Sequence, residues 1–114
     1  MALEPEDFSI VTEDEGGRLL VVVRGELDLA TAPDLEGVVM RALEAGARVL
    51  LDLHALDFMD SSGVRVLVAA HARAERDGER FAIVRPAADS EVSRIIEVSG
   101  LDGQLRLVDD AGAF

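Results

Sequence analysis

The sequence predicts an α/β fold: a single-layer mixed, mostly parallel β-sheet with an antiparallel first strand, packed with about three helices. Three observations predict it. Short apolar runs, such as Leu19-Leu20-Val21-Val22-Val23 and Val49-Leu50-Leu51, alternate with stretches whose apolar residues recur at helical spacing. A Glu15-Gly16-Gly17 turn joins the first two extended runs directly, which makes them an antiparallel hairpin. The 114 residues, 49% of them hydrophobic, suffice for one core and are too few for two.

Each element has its own justification. Phe8–Thr12 nearly alternates and reads as a half-buried edge strand. Arg18–Arg24 encloses a β-branched run suited to a strand buried on both faces, and Gly25-Glu26-Leu27-Asp28 closes it. Thr31-Ala32-Pro33-Asp34 then starts a helix. Thr31 can cap, Pro33 sits in the first turn where a missing N–H costs nothing, and Asp34 suits the positive end of the dipole. Leu35, Val38, Val39, Ala42 and Leu43 form one face of that helix, and Ala45-Gly46 ends it. Arg48–Leu53 is a third strand, so a right-handed parallel crossover is expected.

The pattern then repeats. Ser62–Asp77 carries Val64, Leu67, Val68 and His71 at helical spacing, with Asp77-Gly78 as the stop. Arg80–Arg85 is a fourth strand. Asp89 or Ser90 caps a short helix that turns Val92, Ile95 and Ile96 inward and ends at Ser99-Gly100. Gln104–Val108 alternates as a final edge strand. No linker divides the chain, so residues 1–114 are expected to form one domain with its core over about 8–108.

Composition removes whole classes of function. There is no cysteine, which excludes disulfides, zinc–thiolate sites and a cysteine nucleophile. Eleven cations face twenty-three carboxylates, a formal net charge of −12 that phosphate backbones repel. Every one of those cations is arginine, so Schiff-base chemistry and a P-loop lysine are impossible. No apolar run approaches the roughly 18–20 residues that cross a bilayer. The acidic start, Met1–Asp7, is unlike a secretory signal, and a cytoplasmic protein without cofactors is expected.

Ligands of open parallel sheets sit at the carboxyl ends of strands, where helix N-termini follow. One such junction is chemically unusual: Leu53-His54-Ala55-Leu56-Asp57-Phe58-Met59-Asp60-Ser61-Ser62-Gly63. Phe58 and Met59 are expected to anchor this loop from below. Asp60, Ser61 and Ser62 stand together at a helix start, with Ser61 as the cap and Gly63 allowing close approach of another backbone. Taken alone, the same residues also suit a plain helix cap.

Phe58-Met59-Asp60-Ser61-Ser62-Gly63, after a Leu-x-Leu strand, resembles the signature of bacterial anti-sigma factor antagonists, single-domain members of the STAS family. Gly25-Glu26-Leu27-Asp28 with Thr31-Ala32, and Ser99-Gly100-Leu101, are similar to further segments of that family. The resemblance implies a partner switch. The unphosphorylated antagonist would bind an anti-sigma factor with serine kinase activity and so free a sigma factor. Phosphorylation at Ser62 would release it, and a serine phosphatase would reset it. Asp28, Thr31, Asp60, Ser61, Ser62 and Gly63 then form the partner-binding set. His54 departs from the family pattern, where an acidic or small residue is commoner.

Two other readings compete. Ser62 with His54 or His71 could suggest a catalytic triad, but the serine lacks the glycine-flanked turn of a nucleophile elbow, and His71 fits a partly buried helix histidine. No metal-binding spacing of histidines or carboxylates occurs, so no enzyme is expected. The other reading is a STAS-type scaffold or ligand-sensing module without a phosphorylation switch.

Overall fold

The computed structural model describes residues 8–76 and 80–114. The acidic start of the chain and the Asp77-Gly78 helix stop lie outside them. The described elements run β1 (Ser9–Asp14), β2 (Arg18–Leu27), α1 (Ala32–Glu44), β3 (Arg48–Asp52), β4 (Leu56–Met59), α2 (Ser61–Arg76), β5 (Phe81–Val84), α3 (Glu91–Val98) and β6 (Leu107–Val108). The sheet order is β1-β2-β3-β5-β6, with β4 also paired to β2. Only the β1–β2 pair is antiparallel among the described strands. The mixed sheet and three helices are those the sequence predicts.

β2 is longer than its apolar run suggests, and it serves two partners. Arg18–Val22 pairs with β3, whereas Gly25–Leu27 pairs with β4. The register shifts between Gly25 and Glu26, where Gly25 adopts a φ of 94°. Such a bulge needs the left-handed backbone that glycine supplies without a Cβ clash. β4 itself lies inside the stretch that reads as a loop. Its four residues are too few to show a period, and Asp57 among them is a poor strand former.

Alternation along the strands sorts the two faces of the sheet. Val21, Val23, Val49, Leu51, Phe81 and Ile83 join Leu35, Val39 and Leu43 of α1, Leu67 and Ala70 of α2, and Val92 and Ile96 of α3 in the main core. Leu50, Ala82 and Val84 point the other way. They are covered by the C-terminal segment through Ala111 and Phe114, with Leu20 and Val108 beside them. The guanidinium of Arg48 lies 4.3 Å from the Phe114 ring centroid, and Arg18 donates to the Ala111 carbonyl at 2.7 Å. Helices therefore cover one face and the C-terminal segment caps part of the other.

Two local expectations are corrected and one choice is made. The buried stripe of α2 is Gly63, Val66, Leu67, Ala70 and Ala74, while Val68 is exposed and Val64 and His71 are half-buried. Small residues face inward because α2 packs closely, so a search for bulky side chains selects a neighbouring stripe. The last strand is only Leu107–Val108. Leu105 is instead held below a 3-10 turn, Leu101–Gly103, whose Leu101 carbonyl accepts from the N–H groups of Gln104 and Leu105. Of the two caps the sequence offers for α3, the structure uses Ser90, which accepts from Ser93 N–H at 3.1 Å.

Candidate partner-binding and modification site

Parallel pairing of β2 with β4 brings two chain segments to the same end of the sheet. Leu27 and Met59 are register partners, and the next residue after β4, Asp60, donates its N–H to the Leu27 carbonyl at 3.1 Å. The Asp28 turn and the start of α2 leave the sheet side by side.

The turn is held by its own side chains. Asp28 N–H donates to Thr31 Oγ1 at 2.9 Å, and Thr31 N–H donates back to Asp28 Oδ1 at 3.2 Å. Asp28 Oδ1 also accepts from Ala30 N–H at 3.0 Å, and the Thr31 hydroxyl donates to the Glu26 carbonyl at 2.8 Å. Thr31 occupies the cap position of α1, but its side chain caps none of the helix N–H groups. The expected threonine cap is thus replaced by a reciprocal pair with Asp28, because the hydroxyl turns back to satisfy the end of β2. One product of this geometry is Leu29, held at the tip of the turn and 78% exposed.

At the start of α2 the cap is Asp60. Its Oδ1 accepts from Ser62 N–H at 2.8 Å, and its carbonyl accepts from Val64 N–H at 3.1 Å. Ser61, expected to cap, is the first helical residue and is exposed. A residue already inside the helix points its side chain away from the free N–H groups, which leaves the preceding aspartate to bind them. Ser62 is half-buried, and its hydroxyl has no hydrogen-bond partner among the described residues.

Gly63 works inward. It is buried, and a Cβ there would lie 2.9 Å from Leu27 Cδ2 and closer still to Met59 Cγ. The expected approach of another backbone is therefore an approach of two core side chains. Phe58 corrects the anchoring expectation: Met59 is fully buried, but Phe58, its strand neighbour, points to the other side and is 40% exposed.

Ser62 forms part of the wall of a groove of about 110 Å³ between the two helices, lined by Leu29, Ala32, Pro33, Glu36, Arg65 and Val66. The sequence reading missed Leu29, Glu36 and Arg65 here. An apolar residue in a turn between Asp28 and Ala30, and an arginine one helical turn past the serine, were the available signals. Neither histidine serves Ser62. His54 is exposed in the β3–β4 turn, and His71 Nε2 lies 3.2 Å from Glu75 Oε2, about 13 Å along α2 from the serine at 1.5 Å per residue. Among the described residues, no group of three or more histidines and carboxylates is arranged to hold a metal ion. No helix there is long and apolar enough to cross a membrane.

The fold and the site together define a small mixed α/β domain in which a serine-bearing helix start stands beside a capped turn. Residues 10–109 match a family model described as Mlab, STAS domain, and the chain belongs to the STAS domain family. It is 31% identical over 106 residues to the anti-sigma-F factor antagonist RsfB of Mycobacterium tuberculosis, covering 90% of this chain and 83% of that protein. An anti-sigma factor antagonist from Mycobacterium paratuberculosis superposes with a TM-score of 0.80 at 28% identity, over 96% of this chain and 92% of that one. The Bacillus protein SpoIIAA in its phosphorylated form shares the fold, with a TM-score of 0.70 at 19% identity over 92% of this chain and 96% of that one.

Proposed function

We propose that this protein is an anti-sigma factor antagonist that works by binding and catalyses no reaction. In its unphosphorylated state it binds an anti-sigma factor with serine kinase activity, through the surface that carries Leu29, Asp60, Ser61 and Ser62, and a sigma factor is released. Asp28, Thr31 and Gly63 shape that surface from behind. The kinase transfers the γ-phosphoryl group of ATP to Ser62 Oγ, the hydroxyl proton passes to a base of the kinase, and ADP departs. A serine phosphatase later hydrolyses the ester to serine and inorganic phosphate. Such a cycle belongs in the cytoplasm, where ATP is available.

One observation carries the assignment. The Ser62 hydroxyl is unpartnered among the described residues, while its own N–H is already satisfied by Asp60. Modification therefore breaks no hydrogen bond of the fold, and the phosphate enters at the positive end of α2. It adds about −1.5 to −2 charges to the docking surface. A coupling of only about 1.4–3 kcal/mol changes affinity roughly 10- to 150-fold, enough to release a partner. The names of the relatives support the same reading.

Intact mass after incubation with ATP and a candidate anti-sigma kinase tests the proposal, with phosphopeptide mapping to locate the group. A single phosphate on Ser62 is expected. Modification on Ser61, Ser90 or Thr31 instead would remove the assignment. Retention of the kinase by Ser62→Ala but not by Ser62→Asp in a pull-down completes the test. A second reading, a STAS scaffold or ligand-sensing module without a switch, is favoured by the matched family model, whose description names Mlab and no antagonist. Unchanged mass with every candidate kinase would select it.

A further inference from the structure

Arg65 stands one helical turn beyond Ser62, and the two line the same groove. Residues three apart on a helix have Cβ atoms about 5–6 Å apart, and helical side chains lean toward the N-terminus. Spacing and lean together put the guanidinium of Arg65 within reach of a group attached to Ser62. Arg65 is exposed and makes no hydrogen bond or ion pair among the described residues. Arg18 is engaged with Glu15, Arg48 with Phe114 and Arg85 with Asp109, whereas Arg24, Arg41, Arg76 and Arg94 are unpaired among the described residues but line no part of this groove. In a chain of net charge −12, an unpaired guanidinium beside an unpartnered hydroxyl stands out. Glu36 shares the groove but forms no ion pair with it among the described residues.

We infer that Arg65 captures the Ser62 phosphate. The inference rests on Ser62 being the modified residue and adds how modification is read. A guanidinium offers two parallel N–H donors to a phosphate, a stronger and more directional contact than it could make with the serine hydroxyl. Modification then changes the surface twice. It adds negative charge, and it withdraws the cation that lines the groove, so any acidic group of a partner that met Arg65 loses its counter-charge. The carboxylates facing the phosphate are Asp60, whose Oδ1 is held on Ser62 N–H, and Glu36 across the groove. Both oppose a dianion and neither can replace Arg65.

The test needs no kinase. Protein carrying genetically encoded phosphoserine at position 62 is titrated by phosphorus NMR, in parallel with the same protein bearing Arg65→Gln. The helix N-terminus, Asp60 and Glu36 are common to both, so their difference isolates Arg65. A neighbouring cation favours the dianion, so the second ionisation is expected roughly 0.3–1 pH lower with Arg65 than with glutamine. Coincident titrations would overturn the inference. If the variant does not fold, the Arg65 side-chain Nε–H signal of the otherwise unaltered protein decides. Movement of that signal between serine and phosphoserine supports the pair, and a stationary signal overturns it. Absence of binding to any anti-sigma kinase would instead defeat the proposed function while leaving the pair intact, so the two failures are distinguishable.

Discussion

Asp60 donates its backbone N–H to the carbonyl of Leu27 at 3.1 Å, and this bond carries the β2–β4 pairing up to the point where the two halves of the site diverge. Leu27 ends β2 and passes into the Asp28 turn, while Asp60 follows β4 and caps α2. Asp60 thus holds its strand neighbour with its backbone and its helix with its side chain. A partner that reads both the Leu29 tip and Ser62 depends on this residue without having to touch it.

Asp60→Ala is expected to cost about 0.5–2 kcal/mol of stability, because Ser62 N–H loses its acceptor at the start of α2. Asp60→Asn keeps a side-chain oxygen and should recover most of that loss. Urea denaturation of the three proteins checks it. Equal midpoints for alanine and wild type would mean that solvent satisfies the helix start equally well.

Gly63→Ala should destabilise by about 1–3 kcal/mol, since the new methyl group collides with Met59 and comes within 2.9 Å of Leu27 Cδ2. The expected fall in melting temperature is roughly 4–8 °C per kcal/mol for a domain near this size. The clash lies in the core, so the loss should appear without any partner present. An unchanged melting curve would show that α2 shifts freely on the sheet.

Ser62→Asp is expected to leave the free protein almost as stable as wild type. The added carboxylate gains about 0.3–1 kcal/mol from the helix dipole. Repulsion from Asp60 two residues away, screened by water and salt, is of similar size and opposite sign. At an interface built for a neutral hydroxyl the charge must be desolvated, which costs several kcal/mol if it stays unpaired. Calorimetry against the anti-sigma factor should therefore show no binding. Wild-type affinity, or an unfolded free protein, would recast Ser62 as a purely structural residue.

Leu29→Asp is predicted to weaken partner binding at least tenfold with little effect on the melting temperature. Leu29 is 78% exposed, so burial in the free protein is not what maintains it there. If the partner covers the turn, a carboxylate in place of Leu29 becomes a desolvated charge without a counter-ion. A titration showing undiminished affinity would place the docking surface elsewhere.

The sequence by itself determined the chain order of the elements apart from β4, the hairpin and its antiparallel sense, and the apolar face of α1, and it singled out Asp60–Gly63 as a candidate site. Those features depend on local periodicity and on residues such as Pro33 whose backbone preferences act wherever they stand. Only the tertiary structure decided the rest. β4 is four residues that become a strand because the end of β2 offers free hydrogen-bonding groups, not because Leu56–Met59 prefers to be one. Which stripe of α2 faces inward was set by how closely Leu27 and Met59 let the helix approach, and small residues give no hydrophobic signal for that. Thr31, Ser61 and Asp60 are all capable caps in sequence. At α2 the cap is Asp60, because pairing with Leu27 places its carboxylate under the open N–H of Ser62, and at α1 Thr31 caps no N–H because Asp28 and Glu26 draw its hydroxyl away. A hydrogen bond requires a donor and an acceptor at one point in space, and for residues more than thirty positions apart only the folded chain supplies that point.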